Sequence, residues 1–110
     1  SPSRGLGDVY KRQAVYILNH PYMMGGELRP YIVRIDRGYF SRLIDDFSYE
    51  INVLKETDTT VDIRVNASCK GMAYWLCHHY DIASIVDNKD KELNKELKKA
   101  AESILRQVQD

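Results

Sequence analysis

Apolar and polar positions alternate from Val61 to Asn66, with Val61, Ile63 and Val65 apolar and Asp62, Arg64 and Asn66 between them. A period of two predicts a strand with one buried face and one wet face. Within three residues the period changes. Cys69, Met72, Ala73, Leu76, Cys77 and Tyr80 fall at i, i+3, i+4, i+7, i+8 and i+11, which is one stripe of an α-helix. Ser68 stands just before that stripe, where its hydroxyl can accept from one of the first N–H groups of the helix. Residues 61–80 thus read as a strand feeding a helix that packs back on a sheet. They hold the only Trp, both Cys and two of the three His.

The same reasoning places the other elements. Tyr31 to Ile35 is a first strand, and Pro30 is tolerable at its start. Asp36 is positioned to cap a helix in which Phe40, Leu43, Ile44 and Phe47 form a stripe. Ile51 and Val53 lie at strand spacing within 50–55. Glu56-Thr57-Asp58-Thr59 supplies turn chemistry, so this strand and 61–65 form an antiparallel hairpin. Ile82 to Val86 is a fourth strand. Asp90 to Val108 is a last helix with Leu93, Leu97, Ala100, Ala101, Ile104, Leu105 and Val108 on one side. Its charges are mixed rather than paired at i,i+4, so burial of that stripe is expected to supply most of its stability. The order is βαββαβ plus a helix. Right-handed crossovers put both inner helices on one face of a four-stranded antiparallel sheet, an α+β, ferredoxin-like arrangement. The last helix either covers an open face or edge or projects to a partner.

Three segments follow. Residues 1–13 are rich in Ser, Gly and charge, without periodicity. They resemble translated library-adaptor sequence, the alternative being a disordered tail, and are set aside from fold reasoning. On the adaptor reading the natural protein has a further upstream part. Residues 14–29 read as a linker from that part, broken by Pro21, Gly25 and Gly26, whose Tyr22, Met23 and Met24 lie against this domain or against the missing part. Residues 30–110 are the domain itself.

Composition narrows the function. A chain of 110 residues suits one domain and is short for two. It has no apolar run of membrane-span length and no signal-peptide core. Two cysteines without a secretory context read as reduced thiols, which implies a cytoplasmic location. Net charge is zero, with a small acidic excess once Arg4, Lys11, Arg12 and Asp8 are set aside. That argues against unaided gripping of a nucleic-acid backbone.

Catalytic and metal chemistry find little support. Cys69 and Cys77 are two helical turns apart, about 12 Å, and His78 and His79 diverge by about 100°. They do not form a first shell of metal ligands. Both cysteines lie on the apolar stripe, Cys77 facing the sheet, where thiols are inert. Asp45-Asp46 reads as a solvated pair, and Gly25-Gly26 lacks the spacing of a phosphate loop. No enzyme, cofactor or metal is expected. The strongest chemical signal is Tyr74-Trp75 with His78 and His79, an aromatic cluster that is either peripheral core or a partner-facing or base-stacking surface.

The residues from His20 onward resemble the C-terminal extension, called WCX, of bacterial WYL-domain transcriptional regulators. The similarity rests on His20-Pro21-Tyr22-Met23 with Gly26-Glu27, the strand YIVRID, LIDDF at 43–47, Val65-Asn66, and Met72-Ala73-Tyr74-Trp75-Leu76 with Tyr80. Asp46, Gly71 and the stretch Asp87–Leu93 depart from the family pattern. The resemblance implies a ferredoxin-like extension of a regulator. Such an extension helps dimerise, or clamps the WYL domain of a partner protomer, while DNA is read only by upstream parts. The expected role is a non-catalytic regulatory and dimerisation module. The alternative is a ligand or single-stranded nucleic-acid sensor in its own right. Tyr74, Trp75, His78, Arg64, Arg34 and Tyr22 are the candidate interface or ligand residues.

Overall fold

The two long central strands carry the sequence pattern most faithfully. A computed structural model describes residues 26–47 and 51–109. In it β1 (Leu28–Asp36) and β3 (Thr60–Ser68) pair antiparallel along their whole length, from Leu28 opposite Ser68 to Asp36 opposite Thr60. The shorter strands β2 (Asn52–Glu56) and β4 (Ala83–Val86) flank them, giving the order β2-β3-β1-β4. The helical elements are α1 (Phe40–Leu43), a single turn between 3-10 turns at Arg37–Tyr39 and Ile44–Asp46, then α2 (Cys69–His78) and α3 (Lys91–Gln107). This is the ferredoxin-like α+β arrangement with an added C-terminal helix.

One face of the sheet carries the core. Tyr31, Val33 and Ile35 of β1 lie opposite Val65, Ile63 and Val61 of β3, and all six are buried. Over them pack Leu43 and Phe47, Met72, Ala73, Trp75 and Leu76 of α2, and Leu93 of α3. The change of period at Ser68 is anchored as the sequence requires, because the Gly71 N–H donates to the Ser68 Oγ at 3.0 Å. Ser68→Ala is expected to cost about 1 kcal/mol, read as a lowered urea midpoint.

Several boundaries differ from the sequence reading. Asp36 does not cap with its side chain. It stays in the ladder opposite Thr60, and its N–H donates to the Ile82 carbonyl at 2.9 Å. The stripe of the second helix stops short of Tyr80. The His79 carbonyl accepts from the N–H groups of Ile82 and Ala83, which turns the chain into β4 and leaves Tyr80 80% exposed. β2 starts at Asn52 and all its residues are exposed, with a bulge between Val53 and Lys55. A bulge and a lysine are common guards on a sheet edge.

The last helix departs furthest. Its start is well fixed, with Asp90 Oδ1 accepting from the N–H groups of Glu92 and Leu93. Only Leu93 is fully buried, and Leu97 packs partly against the core. Ile104, Leu105 and Val108 are 55%, 71% and 59% exposed. Burial therefore supports the first half of α3 and not the second. Both α2 and α3 begin at the same end of the sheet, where ligand atoms of Cys69, Asp90 and Glu92 lie within 4.8 Å of one another. The helices run side by side, and α3, at about 25 Å, outreaches α2, at about 15 Å. Among the described residues no helix is long and apolar enough to cross a membrane.

Candidate interaction surface

The candidate residues are not gathered in one place. Trp75 belongs to the core, with no exposed surface. Its ring packs against Phe47 at 4.8 Å between centroids, and its Nε1–H donates to Asp46 Oδ2 at 3.0 Å. Asp46 is therefore a half-buried acceptor rather than half of a solvated pair, while Asp45 is exposed. The same Asp46 oxygen lies 3.4 Å from His79 Nε2. Burial, and the imidazole of His78 stacked on it at 4.4 Å, push the His79 pKa down against the pull of Asp46.

Arg34 and Arg64 lie on the sheet face away from the helices. Arg34 is committed to Asp62 through two hydrogen bonds, Nε to Oδ1 at 2.8 Å and Nη2 to Oδ2 at 3.0 Å. Arg64 stands exposed between Ile32 and Asn52 in register, with no ion pair among the described residues. The Arg34 guanidinium holds the Asp62 carboxyl below the ordinary carboxylate range. A lowered folded pKa stabilises the fold above the unfolded carboxylate value, and that stability is lost as pH falls through the folded one. The stability gap between wild type and Arg34→Met, read by urea unfolding, is thus expected at pH 7 and should close in strong acid.

Tyr74 and Cys77 share a groove instead. Lys70, Tyr74 and Cys77 of α2 face Glu96, Lys99, Ala100, Ser103 and Ile104 of α3 around a cleft of about 370 Å³. Cys77 thus points toward α3 and not toward the sheet. Tyr74 is 42% exposed, and the Lys70 ammonium sits 5.9 Å from its ring centroid. Burial pushes the Cys77 thiol up, and likewise that of Cys69, which disfavours the nucleophilic thiolate. His78 is exposed at the end of α2. Tyr22 lies outside the described residues.

Sequence reasoning missed one feature and left another open. The first is the joint at the start of α3. Tyr31 Oη donates to Asp90 Oδ2 at 2.8 Å, and Arg29 reaches both Asp90, at 3.1 Å, and Glu92, at 2.6 Å. Cys69, Asp90 and Glu92 are spaced like metal ligands, but the Arg29 guanidinium already brings positive charge to both carboxylates. The cluster reads as an ionic tie. The second is the exposure of large apolar side chains just after α2 and along the end of α3, at Tyr80, Ile104, Leu105 and Val108. Its sequence signal is the length of the α3 stripe, which runs on to Val108. No protein-family model matches this chain, and no curated protein matches it.

Proposed function

We propose that this chain is a non-catalytic regulatory and dimerisation module of a WYL-type DNA-binding transcriptional regulator, the role its WCX resemblance implies. The observation that carries the reading is the uncovered apolar end of the α2–α3 pair, with Tyr74, Tyr80, Ile104, Leu105 and Val108 exposed. Tyr74 and Ile104 share one groove, and exposed apolar patches mark interaction sites in soluble domains. On this reading the domain acts in the cytoplasm as part of a homodimer, through its own surface or against the WYL domain of a partner protomer. It couples ligand sensing upstream to DNA binding by upstream parts. The raised thiol pKa values argue against a thiolate nucleophile, and the tie at Arg29 against a metal on Asp90 and Glu92.

The second reading, a ligand or single-stranded nucleic-acid sensor, rests on the open sheet face and Arg64. The commitment of Arg34 to Asp62 weakens it, because a phosphate-tracking face draws on several free cations. Light scattering behind size exclusion, at several concentrations with and without a short single-stranded oligonucleotide, separates the two. A concentration-dependent dimer indifferent to the oligonucleotide is expected. A monomer that shifts only with nucleic acid would favour the sensor.

A further inference from the structure

We propose that a second copy of this chain is the occupant of the α2–α3 groove, each copy inserting Tyr80 into the groove of the other about a two-fold axis. This rests on the dimerisation reading and gives it a site. Tyr80 is 80% exposed, the highest value among the exposed large apolar residues described. It does not sit on a loose loop, since the bonds from Ile82 and Ala83 to the His79 carbonyl, at 3.1 and 2.9 Å, fix the turn that displays it. A fixed aromatic presented to water loses little conformational entropy on docking, which suits it as an anchor.

The groove matches that anchor in size and charge. Its volume of about 370 Å³ and its lining of Cys77, Ala100 and Ile104 offer an apolar bed for a phenol ring. Lys70 and Lys99 stand at its rim and make no ion pair among the described residues, with Glu96 as the one carboxylate there. Asp81 follows Tyr80, is exposed, and likewise makes no ion pair among the described residues. A docked Tyr80 carries Asp81 toward the partner's lysine rim, so the charges complement one another.

Topology favours the same pairing. A two-fold interface requires anchor and receptor on one surface of each copy, so that each contact is made twice. Cys77 of the groove is three residues from Tyr80, and Leu105 and Val108 extend along α3 at the same end of the helix pair. Association there covers all of them. The competing route, edge-to-edge pairing of β2, is opposed by its bulge at Leu54 and by Lys55.

The test uses the full 110-residue chain in sedimentation equilibrium. Tyr80→Ser is expected to weaken the dimer at least about tenfold, as loss of an aromatic hot spot does, with an unchanged circular dichroism spectrum. Asp81→Lys and Lys99→Asp are each expected to weaken it, and an equimolar mixture of the two to restore association. In the mixture the two substituted side chains meet with opposite charges in one contact, and the native pair of Asp81 with Lys99 forms in the reciprocal contact. A dimer indifferent to Tyr80→Ser, or a mixture no tighter than either variant alone, overturns the groove proposal and leaves dimerisation standing. A chain that stays monomeric at every concentration overturns the groove proposal and self-association of this domain, and moves the partner surface of the dimerisation reading to the WYL domain.

Discussion

Trp75→Ala should lower the stability of the domain by about 3–5 kcal/mol, the range for truncating a buried aromatic. Against the roughly 5–15 kcal/mol that holds a typical domain together, such a loss leaves much of the chain unfolded at 37 °C. Two separate losses add. The indole fills the core with no exposed surface, against Phe47 at 4.8 Å and His79 at 5.3 Å, and alanine leaves a cavity there. The Nε1–H is also the donor to Asp46, a half-buried carboxylate that is costly to strand. Trp75→Phe separates the two, because it keeps most of the ring and removes the donor. Its expected cost is about 1–3 kcal/mol. Urea unfolding followed by far-ultraviolet circular dichroism reads both, since each variant lacks the only tryptophan. A loss below about 1 kcal/mol for Trp75→Ala would mean that the indole is not in the core.

What the sequence disclosed, and what it withheld, divides by the range of the interaction that decides it. Val61, Ile63 and Val65 declare their face by alternation, and Ser68 declares the helix start by a cap three residues long. Both are local, and both stand in the structure. The order of strands follows from handedness once the elements are placed. The stop after His78 carries no Gly or Pro signal in the sequence. It is made by a tight turn in which the His79 carbonyl accepts from Ile82 and Ala83 just downstream, so a stripe extended to Tyr80 by period alone overshoots. Asp36 has a good capping side chain, but its ladder with Thr60 holds it in β1. The roles of Asp46 and Asp90 depend on partners 29 and about 60 residues away, beyond any periodicity. The α3 stripe illustrates a different limit. Period reports which side of a helix is apolar, whereas burial depends on how long the neighbouring helix is. Here α2 ends before α3 does, and the surplus apolar side chains become surface.

Asp90→Ala should be the most damaging change outside the core, because one carboxylate performs three tasks at the start of α3. Its Oδ1 accepts from the N–H groups of Glu92 and Leu93, and losing such a cap costs about 0.5–2 kcal/mol. Its Oδ2 accepts from the buried Tyr31 hydroxyl at 2.8 Å, which alanine would leave unsatisfied at a cost of about 1–3 kcal/mol. It also holds Arg29 beside β1, although Glu92 keeps that guanidinium partly occupied. Together the first two predict a loss of about 1.5–5 kcal/mol. Asp90→Asn keeps one acceptor oxygen for the cap and puts an amide N–H group where Oδ2 stood, so the Tyr31 hydroxyl accepts instead of donating and most of the stability should be retained while the charge is lost. The acid dependence distinguishes charge from hydrogen bonding. Desolvation pushes the Asp90 carboxyl up, but the Tyr31 hydroxyl, the Leu93 N–H and the Arg29 guanidinium outweigh it and hold the group below its ordinary value. A lowered folded pKa means that the ionised form stabilises the fold above the unfolded value, and that this stability is lost as pH falls through the folded one. The gap between wild type and Asp90→Asn in urea midpoint should therefore be present at pH 7 and vanish in strong acid, whereas the cap and hydroxyl losses of Asp90→Ala should persist at every pH. An Asp90→Ala gap that also vanished in acid would show that the joint is held by charge alone, and that the Tyr31 hydroxyl contributes nothing to anchoring α3.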